Sequence, residues 1–421
     1  MPALELSTPP RQRLGDRVRA LLRRPTAPTA GVATAPTGRD LRLDMFRGLA
    51  LVMIFINHIP GTVFENWTNR NFGFSDAAEA FVLMSGMAAG LAYSQRFARG
   101  PYLAALLKVW ARVRQLYMVH ITTTVMAIAI FAAAAMWFGH YEVLTKNNLA
   151  PLFSRPLAAI VGLPLLTHQL GYFNILPLYA VLLAATPFVM PLALRKPLWL
   201  LLGSVALWIL AGQYRLNFPN FPNSGGWFFN PFSWQLLFVV GLISGTSMKQ
   251  GYRFFARKRW AVITSGLILL LVLAWMKVGF VGAGGGWVLG RLSDIGAPFY
   301  ITWFDKTFVS APRLIHALAL AYFLASLGVI AWLATTPFAR PLVLMGRHGL
   351  PVFAVGSVLS MVGQAIKAET GANGLIDMAL IFGGLGLQLL LAYSLSRAAA
   401  LQAASSRTHL PAQPASSKGA S

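Results

Sequence analysis

Three ionisable side chains share one face of the first apolar segment. Asp44 and Arg47 lie three residues apart, so on a helix they are neighbours and can form an ion pair. His58 follows Arg47 by eleven positions, about three turns or about 16 Å along the helix, and this returns it close to the same face. Such a helix carries a candidate general base at one end and, at the other, Asp44 and Arg47 as candidate substrate-binding residues, of which Arg47 could bind an anion.

Two carboxylates open the next apolar segment, at the end where His58 is expected. Asp76 and Glu79 are again three residues apart. Charged groups that enter a membrane are costly unless they pair or face water. An acid beside His58 would hold one tautomer of the imidazole and raise its basicity, as general base catalysis requires. We therefore interpret His58, Asp76 and Glu79 as a candidate catalytic group; the alternative for His58 is a histidine that only caps a helix end.

Arginines later in the chain are candidate ligands for an anionic substrate. Arg112 and Arg114 begin the third apolar segment and could join Arg47 around a phosphate, because guanidinium matches phosphate bidentately. The alternative is the ordinary positive charge of a cytoplasmic loop. Arg347 lies near two glycines inside a late apolar segment, where an arginine is either a site residue or one that snorkels to the interface.

The segment 213–234 is unusually rich in aromatic residues and asparagine. It contains NFPNFPNSGGWFFNPFSW over 217–234, which includes Trp227 and Trp234. Aromatic residues near a membrane surface are explained as interfacial anchors. Aromatic faces beside amides also stack on sugar rings and hydrogen-bond to them, so these two tryptophans are candidate substrate-binding residues.

The composition indicates a membrane protein. Of 421 residues, 56% are hydrophobic and 11% are charged, whereas soluble proteins have about 25% charged residues. The formal net charge of +23 is concentrated in short loops and arms, so it predicts topology and not nucleic-acid binding. The chain has no cysteine, and its histidines lack ligand spacing, so we predict no metal site.

Hydropathy and charge predict an all-α bundle of about ten transmembrane helices with both termini in the cytoplasm. The predicted cytoplasmic segments carry about three times as many Lys and Arg as the predicted outside loops. We expect a disordered basic arm over 1–42, the membrane domain over 43–397 and a disordered tail over 398–421. The predicted spans are 44–60, 76–94, 115–138, 172–192, 198–214, 232–248, 261–280, 313–334, 342–364 and 374–396.

Two further segments bear on this topology. The apolar stretch 156–168 contains two prolines and is too short to span, so we predict a re-entrant or interfacial piece. The segment 281–312, with its glycine-rich GAGGGWVLG, is predicted to be an outside loop.

Several of these motifs resemble a known family. Arg47 and His58 match an RxxxxxxxxxxH motif, and LDMFRG, FVLMSG and RVRQLY are similar to segments of the acyltransferase-3 superfamily of membrane acyltransferases. More closely, NHIPG, RNFGFSDAAEAFVLMSG and GRHGLPVF resemble the OpgC family, whose members add succinyl groups to osmoregulated periplasmic glucans.

The resemblance implies a multi-pass enzyme of the bacterial inner membrane that uses acyl-CoA, most simply succinyl-CoA, as donor substrate with no permanently bound cofactor. It implies that Arg47, Arg112 and Arg114 hold the donor phosphates and that His58 deprotonates a glucan hydroxyl, oriented by Asp76 or Glu79. Arg347 is a candidate partner of the succinyl carboxylate. The alternatives are acetylation of another envelope polysaccharide or lipid-linked glycan, and a transporter for a glycan or metabolite.

Overall fold

The computed structural model describes residues 40–408, with side chains through residue 405. The predicted arm up to residue 39 and the tail over 409–421 lie outside these residues. The described chain is helical, apart from loops and an isolated bridge between Pro219 and Gly226. Its α-helices in chain order are α1 (Leu41–Asn57), α2 (Ala77–Arg99), α3 (Tyr102–Phe138), α4 (Ala150–Ser154), α5 (Pro156–Gly162), α6 (Ile175–Arg195), α7 (Pro197–Gln213), α8 (Pro231–Lys249), α9 (Arg259–Lys277), α10 (Gly279–Asp294), α11 (Phe299–Thr302), α12 (Ala311–Ser326), α13 (Gly328–Leu333), α14 (Arg340–Arg347), α15 (Gly349–Thr370) and α16 (Gly374–Thr408).

The described residues include seven helices that are long and apolar enough to cross a membrane, namely α2, α3, α6, α8, α9, α15 and α16. Helices α1 and α7 have 17 residues each and α12 has 16, slightly less than a full span. The prediction of an all-α, multi-pass membrane protein is confirmed. The count of ten spans and the cytoplasmic position of both termini stay predictions.

The closest helix packing in the core joins α2 to α8. Gly86 and Gly90 on α2 face Gly241 and Gly245 on α8, each pair spaced four residues apart. A Cβ on Gly86 would lie 2.0 Å from the Phe238 carbonyl oxygen, so only glycine allows the two backbones to approach this closely. Small residues at this spacing are typical of helix pairs inside membranes, where close backbone contact replaces the hydrophobic effect.

Two predicted spans are each divided into two helices. The span 313–334 ends as a helix at Ser326, Leu327 is extended, and α13 begins at Gly328. Glycine is a poor helix former, which favours a break there. The span 342–364 is interrupted at His348, and α15 begins at Gly349 with Pro351 in its first turn. Proline is tolerated in that turn because the amide it lacks would have no helical partner there.

Segments predicted as loops or tail are partly helical. The predicted loop 281–312 contains α10, whose glycines make room for a neighbour: a Cβ on Gly285 would lie 1.9 Å from the Trp275 ring. The tail predicted from residue 398 is helical as far as Thr408, since its first residues are rich in alanine, the best helix former. The stretch 156–168 begins with α5, which has seven residues and is too short to span.

Helix α3 is longer than the sequence predicts. The segment 95–114 is predicted to be a loop, but α3 begins at Tyr102, directly after Pro101, and runs for 37 residues. Straight-chain and alanine residues fill its first turns and nothing in them breaks a helix. Arg112 and Arg114 therefore lie on a helix and not in a loop.

Candidate functional site

Helix α1 connects two groups of polar side chains. At its C-terminal end lies the histidine site, which consists of His58, Asp76, Glu79, Lys306 and Arg313. Near its N-terminal end lies the arginine cluster, which consists of Asp44, Arg47, Arg112 and Arg347. The helix rise puts Arg47 and His58 about 16 Å apart along the axis.

His58 is the C-terminal capping residue of α1 and is half-buried. Its backbone N–H donates to the Ile54 carbonyl oxygen at 3.0 Å. Its own carbonyl oxygen accepts from the Gln364 side chain at 2.7 Å, and the Gln364 oxygen in turn accepts from the Asn147 amide at 2.7 Å. These bonds fix the backbone of His58 and leave the imidazole free of hydrogen bonds to other described residues.

Tyr172 covers one side of the His58 ring. The two ring centroids are 4.5 Å apart and the planes are tilted by 49°. The backbone of Tyr172 has a φ of 72°, in the left-handed region that a tyrosine rarely adopts. Asn147, Asn148 and Leu166 in the same segment between α3 and α6 also have positive φ values of 53°, 64° and 61°. Such strained positions concentrate at functional sites, where the surrounding structure holds them in place.

The two carboxylates are organised by the start of α2. Asp76 is its N-cap and accepts from the Ala78 N–H at 2.8 Å, while Glu79 accepts from the Asp76 N–H at 2.9 Å. Together these bonds form a capping box, which satisfies amides that the first turn leaves without helical partners. The predicted proximity of Asp76 and Glu79 on one helical turn is confirmed.

Two cations from the loop before α12 and from α12 itself complete the histidine site. Arg313 donates to Glu79 through its Nε at 2.8 Å and through an NH2 group at 2.5 Å, and that NH2 also contacts Asp76 at 3.4 Å. Lys306 forms an ion pair with Asp76. The charges of Lys306 and Asp76 both act on the His58 imidazole. Neither carboxylate hydrogen-bonds to the imidazole in this structure, so the predicted orienting role of Asp76 or Glu79 stays a prediction.

The arginine cluster is arranged around Asp44, whose side chain is 2% exposed. Arg47 lies 3.7 Å from one Asp44 oxygen and Arg347 lies 3.7 Å from the other, so the predicted pairing of Asp44 with Arg47 is confirmed. Arg47 and Arg112 both lie close enough to Tyr179 for their charges to act on its phenol. Arg112 therefore lies in the same region as Arg47. Two guanidinium groups at one buried carboxylate, with a third near Tyr179, leave an excess of positive charge suited to a polyanion.

The family model described as OpgC protein matches residues 39–400, which include the histidine site and the arginine cluster. The chain belongs to the OpgC protein family. No curated protein and no solved structure gives a significant match.

Some residues predicted for the site of this OpgC family member lie elsewhere. Arg114 is exposed and has no contact with the arginine cluster among the described residues. Trp234 is fully buried, and its indole N–H donates to the Lys306 carbonyl oxygen at 3.0 Å. Trp227 is 4% exposed and packs edge-on against Phe218. Neither tryptophan presents a face to solvent here, and Trp234 instead fixes the backbone of Lys306.

Two members of the histidine site, and two residues that contact His58, were missed by sequence reasoning. Lys306 lies in a predicted outside loop and Arg313 is the first residue of a predicted span, and neither was identified as a site residue, although a cation beside an apolar helix is costly unless it is paired. That cost is the signal that identifies Arg313. Tyr172 and Gln364 have no such signal, because ordinary interfacial and helical residues share their composition and spacing.

Proposed function

We propose that this protein is a membrane O-acyltransferase that moves a succinyl group from succinyl-CoA in the cytoplasm to hydroxyls of periplasmic glucans. Membership of the OpgC family supports involvement in glucan modification and a transferase-type enzyme. The single observation that carries the finer proposal is the placement of two sites at opposite ends of α1. A donor and an acceptor on opposite sides of a membrane require such a separation.

In this proposal the arginine cluster binds the phosphates of the donor. Arg47, Arg112 and Arg347 supply guanidinium groups, whose planar donors match phosphate oxygens bidentately. Asp44 holds Arg47 and Arg347 in position. The pantetheine arm then follows α1 toward His58 and brings the thioester to the histidine site.

At the histidine site the imidazole of His58 accepts the proton of a glucan hydroxyl as its oxygen attacks the thioester carbonyl carbon. The new C–O ester bond forms, the C–S bond breaks, and the thiolate of CoA leaves and takes up a proton. A histidine without a hydrogen bond to any described residue is available for this transfer, because no existing bond must first be broken. The bonds to the backbone of His58 keep the ring in place during the step.

The decisive experiment compares periplasmic glucans from a deletion strain that carries wild-type protein, His58→Ala or His140→Ala. His140 is a matched control at the outer end of α3 and lies outside both sites. We expect retained, anionic glucans on anion-exchange chromatography from wild type and His140→Ala, with the charge lost after mild base treatment. His58→Ala should give neutral glucans while the protein remains at wild-type level in the membrane.

Other outcomes reject defined parts of the proposal. Anionic glucans from His58→Ala would end the general base role of that residue. Neutral glucans from every strain would reject succinylation and favour acetylation or another acceptor. Release of free CoA thiol by the purified protein separates an acyltransferase from a transporter, because transport leaves the thioester intact.

A further inference from the structure

Lys306 is the exposed cation of the histidine site. It lies in the loop between α11 and α12, and its side chain is 28% exposed. The indole N–H of Trp234 donates to the Lys306 carbonyl oxygen, and the Asn230 N–H donates to the neighbouring Thr307 carbonyl oxygen at 3.3 Å. The loop backbone is therefore anchored to the start of α8, while the ammonium group reaches toward Asp76 and the region of His58.

The ammonium of Lys306 retains capacity to bind a ligand. It has three N–H donors, and within the described part of the chain its acceptor is Asp76 alone. The ring centroids of Phe228 and Phe229 lie 5.8 and 5.6 Å from its nitrogen, so part of its surroundings is aromatic. Two donors in a partly apolar setting form a strong site for one more carboxylate, since a charged hydrogen bond strengthens away from bulk water.

Arg313 and Arg347, two other cations in the described part of the chain, are less suited to that task. Arg313 is 12% exposed and is bound by both Glu79 and Asp76. Arg347 pairs with Asp44 in the arginine cluster, toward the opposite end of α1 from His58. A carboxylate at the far end of a short acyl chain must lie within a few bonds of the thioester carbonyl, and hence close to His58.

We propose that Lys306 binds the distal carboxylate of the acyl group and thereby selects dicarboxylic acyl donors over neutral ones. Asp76 positions the ammonium, and His58 acts on the acceptor hydroxyl at the other end of the same acyl chain. This inference rests on the proposed acyltransferase function and names the residue that determines its acyl specificity.

The test compares two donors of the same chain length with purified protein and a glucan acceptor. Succinyl-CoA carries a terminal carboxylate where butyryl-CoA carries a methyl group. In Lys306→Gln, the ratio of kcat/KM for succinyl-CoA over butyryl-CoA should fall by about tenfold or more, the value of one charged hydrogen bond. Lys306→Arg should keep most of the preference. Lys249→Gln is the matched control, because Lys249 is exposed at the C-terminal end of α8, the opposite end from the one that anchors the Lys306 loop, and its loss should leave the ratio unchanged.

Each other result has a definite meaning. An unchanged ratio in Lys306→Gln overturns the inference, and so does an equal loss with both donors, which would place the ammonium at the thioester or in folding. If Lys306→Gln does not reach the membrane, Asp76→Asn with Lys306→Gln removes both charges while Asn still caps α2, and the same fall in ratio is expected. If wild-type protein transfers neither donor, the acyltransferase function fails, whereas transfer without a change of ratio rejects only the role of Lys306.

Discussion

The backbone of Gly346 lies directly against the backbone of Asp44, and a Cβ on Gly346 would come within 1.8 Å of the Asp44 carbonyl oxygen. On the other side of the same contact, a Cβ on Gly48 would lie 2.0 Å from the Leu342 carbonyl oxygen. Helices α1 and α14 therefore touch through their backbones. This contact brings Arg347 to Asp44 and so builds the arginine cluster.

Gly346→Ala should separate the two helices. The methyl group meets backbone atoms that cannot rotate away. We therefore expect the free energy of unfolding to fall by at least about 1–3 kcal/mol. Thermal unfolding in detergent should show a melting temperature several degrees lower. The matched control is Gly203→Ala in α7, where a Cβ meets nothing within 4 Å and alanine is the better helix former. Equal melting temperatures for the two variants would contradict the close contact.

Arg313 balances the buried charge of Glu79. The Glu79 side chain is fully buried, so Arg313→Met would leave a carboxylate without its cation. We expect a loss of about 3–5 kcal/mol, because an unpaired buried charge is strongly destabilising. Adding Glu79→Gln should restore much of the stability, since glutamine removes the charge and still completes the capping box. Additive losses in the double variant would show that the two residues do not interact.

The local parts of both sites are predictable from sequence. Asp44 with Arg47, and Asp76 with Glu79, are each three residues apart, and helical geometry alone brings them together. The positions at which apolar segments become helices are equally local, and each predicted span contains at least one helix. Hydrophobic length is a strong signal because the bilayer offers no partner for an exposed backbone.

The long-range parts are not predictable in this way. Arg313 meets Glu79 across 234 positions and Lys306 meets Asp76 across 230, and no periodicity links such pairs. The helical state of α10 also depends on a partner, since Trp275 fills the space beside Gly285 that a side chain would occupy. Tertiary packing overrides the low helix propensity of glycine there.

Arg47→Ala should weaken binding of the donor more than that of the acceptor. Removing one guanidinium from the arginine cluster takes away charged hydrogen bonds to phosphate, each worth about 1.5–3 kcal/mol. The apparent KM for acyl-CoA should therefore rise about tenfold or more, with little change in the KM for glucan. Arg114→Ala is the matched control, because Arg114 is exposed and has no contact with the cluster among the described residues. A rise in the acceptor KM alone would reject the phosphate-binding role.

A contact between His140 and Glu369 joins the loop after α3 to the C-terminal end of α15. His140 contacts Glu369 at 2.5 Å and Glu142 at 3.1 Å. The hydrogen bond to Glu369 and the charges of both carboxylates raise the pKa of His140. Because the folded pKa exceeds the unfolded value of about 6.5, the stabilisation is complete below that value and is lost as pH rises through the folded pKa.

The corresponding measurement is thermal stability of wild type and His140→Gln between acid and mildly alkaline pH. Wild type should be the more stable below about pH 6.5, and the difference should shrink as pH rises. Asn148, whose side chain bonds to the Gln169 carbonyl oxygen in the same loop, provides an uncharged comparison through Asn148→Ala. A difference between wild type and His140→Gln that does not vary with pH would mean that the charge of His140 does not stabilise this contact.

Tyr172 is expected to limit the positions that the His58 imidazole can adopt. Tyr172→Phe keeps the ring that lies 4.5 Å from the imidazole, so we expect transfer close to the wild-type rate. Tyr172→Ala and Tyr172→Gly remove the ring, and kcat should fall by about tenfold or more because a small displacement of a catalytic group is costly.

These two variants differ only in backbone freedom. With φ at 72°, glycine adopts the conformation without the steric cost that alanine has, so Tyr172→Gly should be more stable than Tyr172→Ala by about 1 kcal/mol. Equal kcat loss with unequal stability would separate the role of the ring from the backbone strain that holds it, whereas wild-type kcat in Tyr172→Ala would show that His58 is positioned by its backbone bonds alone.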